Sequence, residues 1–160
     1  MVIDNWARAM QQRTTKLNRL LAQLEASGRR VTNQRVAVCE ALLANNGHPT
    51  AAEVYQRVHA MHPAISQATV YNTLAVLEEL GLIRLLHIVG DDHAHYDLGM
   101  DAHVNAVCTR CGRISDIHTD TLEALLGLVA TRSGYQLSQG EGVIVYGVCS
   151  DCASTQVAGA

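Results

Sequence analysis

The sequence predicts an α+β protein in two parts, and three observations carry that prediction. Capped segments with helix-period apolar stripes fill most of the first 80 residues, two β-like runs flank "GDD" at 90–92, and short β-like runs after residue 100 are bracketed by "CTRC" and "CSDC". Cutting the chain near residue 90 separates a mainly helical part, 1–90, from a smaller part, 91–160, whose texture beyond residue 100 is one of short β-like runs around one helix.

Each element has a local cause. Residues 6–26 are rich in helix formers, place Leu17, Leu20, Leu21 and Leu24 at helical spacing and stop at Ser27-Gly28, which predicts one extended N-terminal helix. Thr32 then precedes "NQRVAVCEALLANN", with Val36, Cys39, Leu42 and Leu43 as its stripe and Asn46-Gly47 as its stop. Thr50 and Glu53 have capping-box spacing, and Pro63 ends the helix they open. Ser66 caps "QATVYNTLAVLEEL", where Val70, Leu74, Leu77 and Leu80 share one face and Gly81 terminates. "LIRLLHIVGDDHAHYDL" reads as a hairpin. Short helices followed by a two-stranded hairpin make a winged helix-turn-helix, in which the helix after Ser66 enters the DNA major groove. Beyond residue 100, "HVNAVC", "RISDIH" and "GVIVYGVC" surround a helix over 120–132, a small α/β unit with a thiol pair after its first strand and another after its last.

Composition narrows the function. Apolar residues make up 48% of the chain, without a long charge-free run, and "MVIDNWARAMQQR" has neither the apolar core nor the cleavage site of a secretory signal. The expected protein is soluble and cytoplasmic, with no membrane partner and no small-molecule substrate. Residues 1–90 hold nine Arg/Lys against six Asp/Glu and residues 91–160 three against nine, so +3 and −6 give the net charge of −3. The basic half suits a polyanion and the acidic, His-containing half suits cations.

Cys108, Cys111, Cys149 and Cys152 form two C-x2-C pairs with 37 residues between them. Two such knuckles converging on a tetrahedral Zn²⁺ explain the spacing, and Gly112 suits the knuckle turn. A dithiol redox couple beside an incidental pair is the alternative. Cys39, alone on an apolar helix face, is expected to fill the core. An enzyme is not expected, because the chain has no HExxH, phosphate-binding Gly-rich loop or nucleophile motif; a His/Asp-based metal hydrolase is the reading this disfavours.

"GRRVTNQRVAVCEAL", "HPTAAEVYQRV", "ISQATVYNTLAVLEELGLI", "CTRCGRI" and "YGVCSDC" occur in the order and spacing of the Fur family of metal-dependent bacterial repressors, which the chain resembles from about residue 28 to residue 152. The resemblance implies a homodimer on double-stranded operator DNA, with winged-helix DNA-binding domains, a C-terminal dimerisation domain, a structural zinc on four cysteines and a separate regulatory metal between the domains. It implies base contacts from Tyr71, with Gln67, Thr69 and Asn72 on the same face, and a minor-groove contact from Arg30. Hydroxyl and amide groups read base edges there, and a guanidinium reads a narrow groove.

The regulatory set implied by resemblance is His48, Asp97, His103 and Asp116, with Asn105 where a second His of a His-x-His pair is expected; either those four ligands suffice or a neighbour such as His95 fills the gap. Such N/O donors suit Fe²⁺ or Mn²⁺, with Zn²⁺ a further candidate. A third family site is expected to be empty, since Ala102 and Val104 replace donors and only Glu123 and Glu141 remain. His59 and His62 read as surface residues, His93 and His95 equally as exposed residues of the hairpin, and His87 and His118 have no role by resemblance. Aspartates at both carboxylate positions, and Asn72 in place of Arg, resemble the peroxide-sensing branch, in which ferrous iron and peroxide oxidise a ligating His, here His48 or His103. Iron, manganese or zinc homeostasis is the alternative, and a thiol-based redox switch at the zinc cysteines a more distant one.

Overall fold

The computed structural model describes residues 2–44, 47–99, 101–137 and 142–154, with side chains from Met10 onward. It divides into two compact units, Met1–Leu98 and Gly99–Ala160. The division falls later than residue 90 because the second strand of the hairpin is hydrogen-bonded to the first and cannot be parted from it.

In the first unit, α1 (Val2–Ala26), α2 (Asn33–Leu43), α3 (Ala51–Met61) and α4 (Gln67–Glu79) precede β1 (Arg84–His87) and β2 (Ala94–Asp97). The caps are those the sequence specifies. Thr32 Oγ1 accepts from Arg35 N, Thr50 and Glu53 form a reciprocal capping box, and Ser66 Oγ accepts from Thr69 N. Each satisfies a helix-end N–H that would otherwise lack a partner. The core joins Leu20 and Leu24 of α1 to Val38, Leu42, Val54, Val58, Val70, Leu74 and Leu77. α1 begins earlier than residue 6, at Val2. α2 buries more of its surface than the predicted stripe, because Ala37, Val38 and Ala41 are enclosed as well. Cys39 is fully buried, and burial first, then the Glu40 charge, pushes its thiol up to about 12, so it is protonated and unreactive. β1 and β2 pair antiparallel from Arg84↔Asp97 to His87↔Ala94, the wing of a winged helix.

In the second unit, β3 (Val104–Cys108), β4 (Ile114–Ile117), α5 (Thr121–Ser133), β5 (Val143–Gly147) and α6 (Ser150–Ser154) form a three-stranded sheet of order β4-β3-β5. β4 runs antiparallel to β3, and β5 runs parallel to it with Cys108 opposite Gly147. Parallel pairing puts the C-terminal ends of β3 and β5 side by side, so the two thiol pairs meet at one end of the sheet. No helix among the described residues is long and apolar enough to cross a membrane.

Candidate metal centres and nucleic-acid interface

The thiol cluster follows from that strand order. Gly112, at φ +72°, makes the first knuckle turn, with its N–H on the Cys108 carbonyl; a Cβ there would be strained. α6 presents the second pair, held by Arg110 Nη1 on the Cys152 carbonyl at 2.9 Å and by an Arg113–Asp151 pair at 2.7 Å. All four Sγ atoms lie within 4.8 Å of one another, and Cys111 and Cys149 are 3.8 Å apart. That is far beyond a disulfide. An ion about 2.3 Å from each of four sulfurs sits in a tetrahedron with edges of about 3.8 Å, so the cluster has the dimensions of a zinc site. Backbone N–H groups of Cys149, Cys111 and Arg110 converge on Cys108 Sγ and pull its thiol down to about 5, which prepares the thiolate a metal requires. Hydrogen bonding to Cys149 and then Cys111 pushes Cys152 up to about 12 in the metal-free cluster, as expected where four sulfurs share few protons. These four thiols are the set that would hold a structural zinc.

A second donor group lies in the first unit. His48 stands just before α3, on a loop stitched to β2 by Tyr96 N–H donating to the Pro49 carbonyl at 2.9 Å and by a bridge between Thr50 and His95. Stitching the loop to β2 brings His48 Nε2 to 3.9 Å from Asp97 Oδ1, and the two side chains are 4% and 2% exposed. Two donors each about 2.1 Å from one ion stand at most about 4.2 Å apart, so this pair fits a shared ion. Arg84 Nη2, 3.6 Å from Asp97 Oδ2, holds the far side of the carboxylate. That residue was not legible beforehand; its position opposite Asp97 in the hairpin register is the signal that would have found it.

His95 does not fill a gap in the ligand set. Its Nδ1 is 2.8 Å from the His48 carbonyl and its Nε2 is 2.8 Å from Asp91 Oδ2, so both ring nitrogens are engaged. Burial opposes its protonation, but the Asp91 carboxylate and the His48 carbonyl outweigh that and raise its pKa. It acts as a brace between the wing turn and the His48 loop.

The second unit carries its own donors. His103 is fully buried, and its Nδ1 donates to the Asp101 carbonyl at 2.9 Å, which leaves Nε2 as the lone-pair nitrogen in the neutral ring. That Nε2 is 3.8 Å from Asp116 Oδ1. Asn105 pairs with Asp116 across β3 and β4, so their side chains share a face; Asn105 is 2% exposed and its Oδ1 has no hydrogen-bond partner among the described residues. A buried amide oxygen without a partner costs about 1–3 kcal/mol, which a cation would offset. Gly142 lies against the backbone of His103, since a Cβ there would collide with the His103 carbonyl, which also accepts from Val143 N–H. Gly142→Ala is therefore expected to displace His103 and weaken Mn²⁺ binding by about tenfold or more while zinc content stays constant, read by metal titration. Of the third set, Ala102 and Val104 bear no donors, Glu123 is exposed on α5, and Glu141 lies outside the described residues.

On α4, Gln67, Tyr71 and Asn72 are exposed on the face opposite Val70, Leu74 and Leu77, and Arg30 is exposed before α2. Thr69 is half-buried, with its hydroxyl 2.9 Å from Ser66 Oγ, and so serves the cap. Ala68 and Ala75 lie between the polar residues of the exposed face and keep it low enough for close approach to a groove.

The profile of the ferric uptake regulator family matches residues 26–143. The chain is 36% identical over 141 residues to the peroxide operon regulator of Bacillus subtilis, covering 88% of this chain and 96% of that one. It is 33% identical to a peroxide-responsive repressor of Staphylococcus epidermidis, over 86% of this chain and 90% of that one. Among solved structures it is similar to the Campylobacter jejuni peroxide stress regulator, with TM-score 0.64, 28% identity and coverage of 82% and 93%. A Helicobacter pylori ferric uptake regulator, at 20% identity and TM-score 0.68 with coverage of 88% and 93%, shares the fold.

Proposed function

Because the chain belongs to the ferric uptake regulator family, we infer that it is a metal-dependent, peroxide-responsive transcriptional repressor, a regulator acting on DNA and not an enzyme. The observation that carries this reading is the pair of N/O donor groups, buried His48 with Asp97 in one unit and buried His103 and Asn105 with the exposed Asp116 in the other. Donors of that kind suit Fe²⁺ or Mn²⁺. A regulatory ion on these donors would favour the state in which α4 of each subunit meets a half-site of operator DNA. Gln67, Tyr71 and Asn72 would face base edges, with Arg30 at the minor groove and Thr69 supporting the helix start.

A homodimer is supported by the second unit's surface. Leu125, Leu128 and Val129 on α5, Ile117 on β4, and Val145 and Tyr146 on β5 are all more than 40% exposed, while only Leu122 of α5 is buried. So small a unit leaving that much apolar surface open is suited to covering it with a second copy. The cytoplasm, where DNA and reduced thiols coincide, is the compartment this function requires.

Peroxide sensing fits the same donors. A ferrous ion held by these donors would supply one-electron activation of peroxide. In the net change one peroxide oxygen would join an imidazole carbon of His48 or His103 and the other leave as water, the ring losing the two electrons that the peroxide gains and returning to the iron any electron it had lent. The oxidised ring is a poorer donor, so the ion and then the DNA are released. The test is binding to a duplex selected from random sequence by the Mn²⁺-loaded protein. Peroxide is expected to release DNA from the Fe²⁺-loaded protein and leave the Mn²⁺-loaded protein bound. Equal persistence of both would point to metal homeostasis, and release of both with loss of free thiols would point to a switch at the zinc cysteines.

A further inference from the structure

The regulatory donors of the second unit are one short of what the resemblance leads one to expect, because Asn105 offers a neutral amide oxygen where a second imidazole would stand. The sheet itself supplies a replacement. β3 and β4 pair with Asn105 opposite Asp116 and Val104 opposite Ile117. Continued by one residue, that register sets His103 opposite His118. Alternation along a strand then places His103 and Asn105, and beside them Asp116 and His118, on the same face of the two strands. Two adjacent cross-strand pairs thus form a block of four donor side chains.

The side chains agree with the register. The His103 and His118 rings are 5.3 Å apart between centroids, with planes inclined by 41°. Two imidazoles on neighbouring positions of one ion, each nitrogen about 2.1 Å from it, have centroids about 5 Å apart. His103 Nε2 is oriented by the Nδ1 contact to Asp101, and it already stands 3.8 Å from Asp116. The other candidate imidazoles are otherwise engaged: His95 through both nitrogens and His93 through Nδ1, 3.3 Å from Asp91 Oδ1. His118 is exposed at the end of β4, where its ring has room to turn toward the ion.

We propose that His118 is a ligand of the regulatory metal, taking the place that Asn105 leaves open through its position across the sheet from His103. This rests on the reading that the His103–Asp116 face binds the regulatory ion. It gives the second unit two imidazoles and one carboxylate for the ion, with the Asn105 amide oxygen as a weak further donor.

The test uses full-length, zinc-loaded protein titrated with Mn²⁺, with pulsed electron paramagnetic resonance counting the imidazole nitrogens coupled to the bound ion. His118→Ala is expected to weaken Mn²⁺ binding by about tenfold or more and to remove one imidazole from the count, with zinc content unchanged. Asn105→His added to His118→Ala is expected to restore both. Mn²⁺ affinity within twofold of the parent, with the same imidazole count, would overturn the proposal. His103→Ala separates the two levels. If it loses Mn²⁺ while His118→Ala does not, only the role of His118 fails; if neither variant changes binding, the regulatory site itself is misplaced.

Discussion

Replacing Cys149 by Ala is expected to abolish zinc retention and unfold the Gly99–Ala160 unit. β3 and β5 are neighbours whose C-terminal ends are clasped through Cys108, Cys111, Cys149 and Cys152. The unit's described apolar core is small, with Val107, Cys108 and Leu122 as its buried hydrophobic residues. Zinc binding in small metal-dependent domains is worth about 10–16 kcal/mol, comparable with the whole stability of an ordinary domain, about 5–15 kcal/mol. Three thiolates cannot close a tetrahedral site, so most of that contribution is lost together with the anchoring of α6. Zinc analysis after gel filtration, with circular dichroism, reads the result. A zinc-free Cys149→Ala protein that keeps its β signal and a melting temperature within a few degrees of the parent would contradict the structural role of the site.

The second large effect concerns coupling. His48→Ala is expected to leave metal-free DNA binding unchanged and to remove the gain in DNA affinity that Mn²⁺ produces, a change of about 5- to 150-fold if the coupling is about 1–3 kcal/mol. An ion favours the DNA-binding state only to the extent that it binds that state better, and His48, beside Asp97, is a candidate donor carried by the unit that holds α4. His87→Ala, at an exposed wing position, is the control and should retain the full Mn²⁺ response. A His48→Ala protein whose DNA affinity still rises with Mn²⁺ as the parent's does would sever the link between this donor and DNA.

The helical unit was legible because its signals are local. Thr32, Thr50, Glu53 and Ser66 occupy cap positions that determine where helices begin, whatever the rest of the chain does, and the α4 stripe of Val70, Leu74 and Leu77 is buried as its spacing requires. The thiol spacing likewise told which cysteines belong together. What it did not tell was strand order. Parallel pairing of β3 with β5 depends on a crossover through β4 and α5, a long-range feature, and it sets the thiol pairs that follow the first and last strands together at a single end of the sheet. α6 was missed because Ser150–Ser154 is one helical turn without an apolar stripe.

The candidate regulatory donors were named through resemblance, and the contacts around them were not. Arg84 beside Asp97, the Asp91–His95 brace on the His48 loop, and the face shared by His103 and His118 all depend on hairpin and sheet register. A one-residue slip would reverse each of them, so residue identity alone cannot fix them.

The most direct measurement is peptide-resolved mass spectrometry of anaerobically prepared, Fe²⁺-loaded protein before and after one equivalent of hydrogen peroxide. The account predicts a gain of a single oxygen on the peptide bearing His48 or His103, with all four zinc thiols intact and no gain in the Mn²⁺-loaded control. Oxidation confined to Cys108, Cys111, Cys149 and Cys152 with loss of zinc, or no oxygen gain on either His, would contradict it.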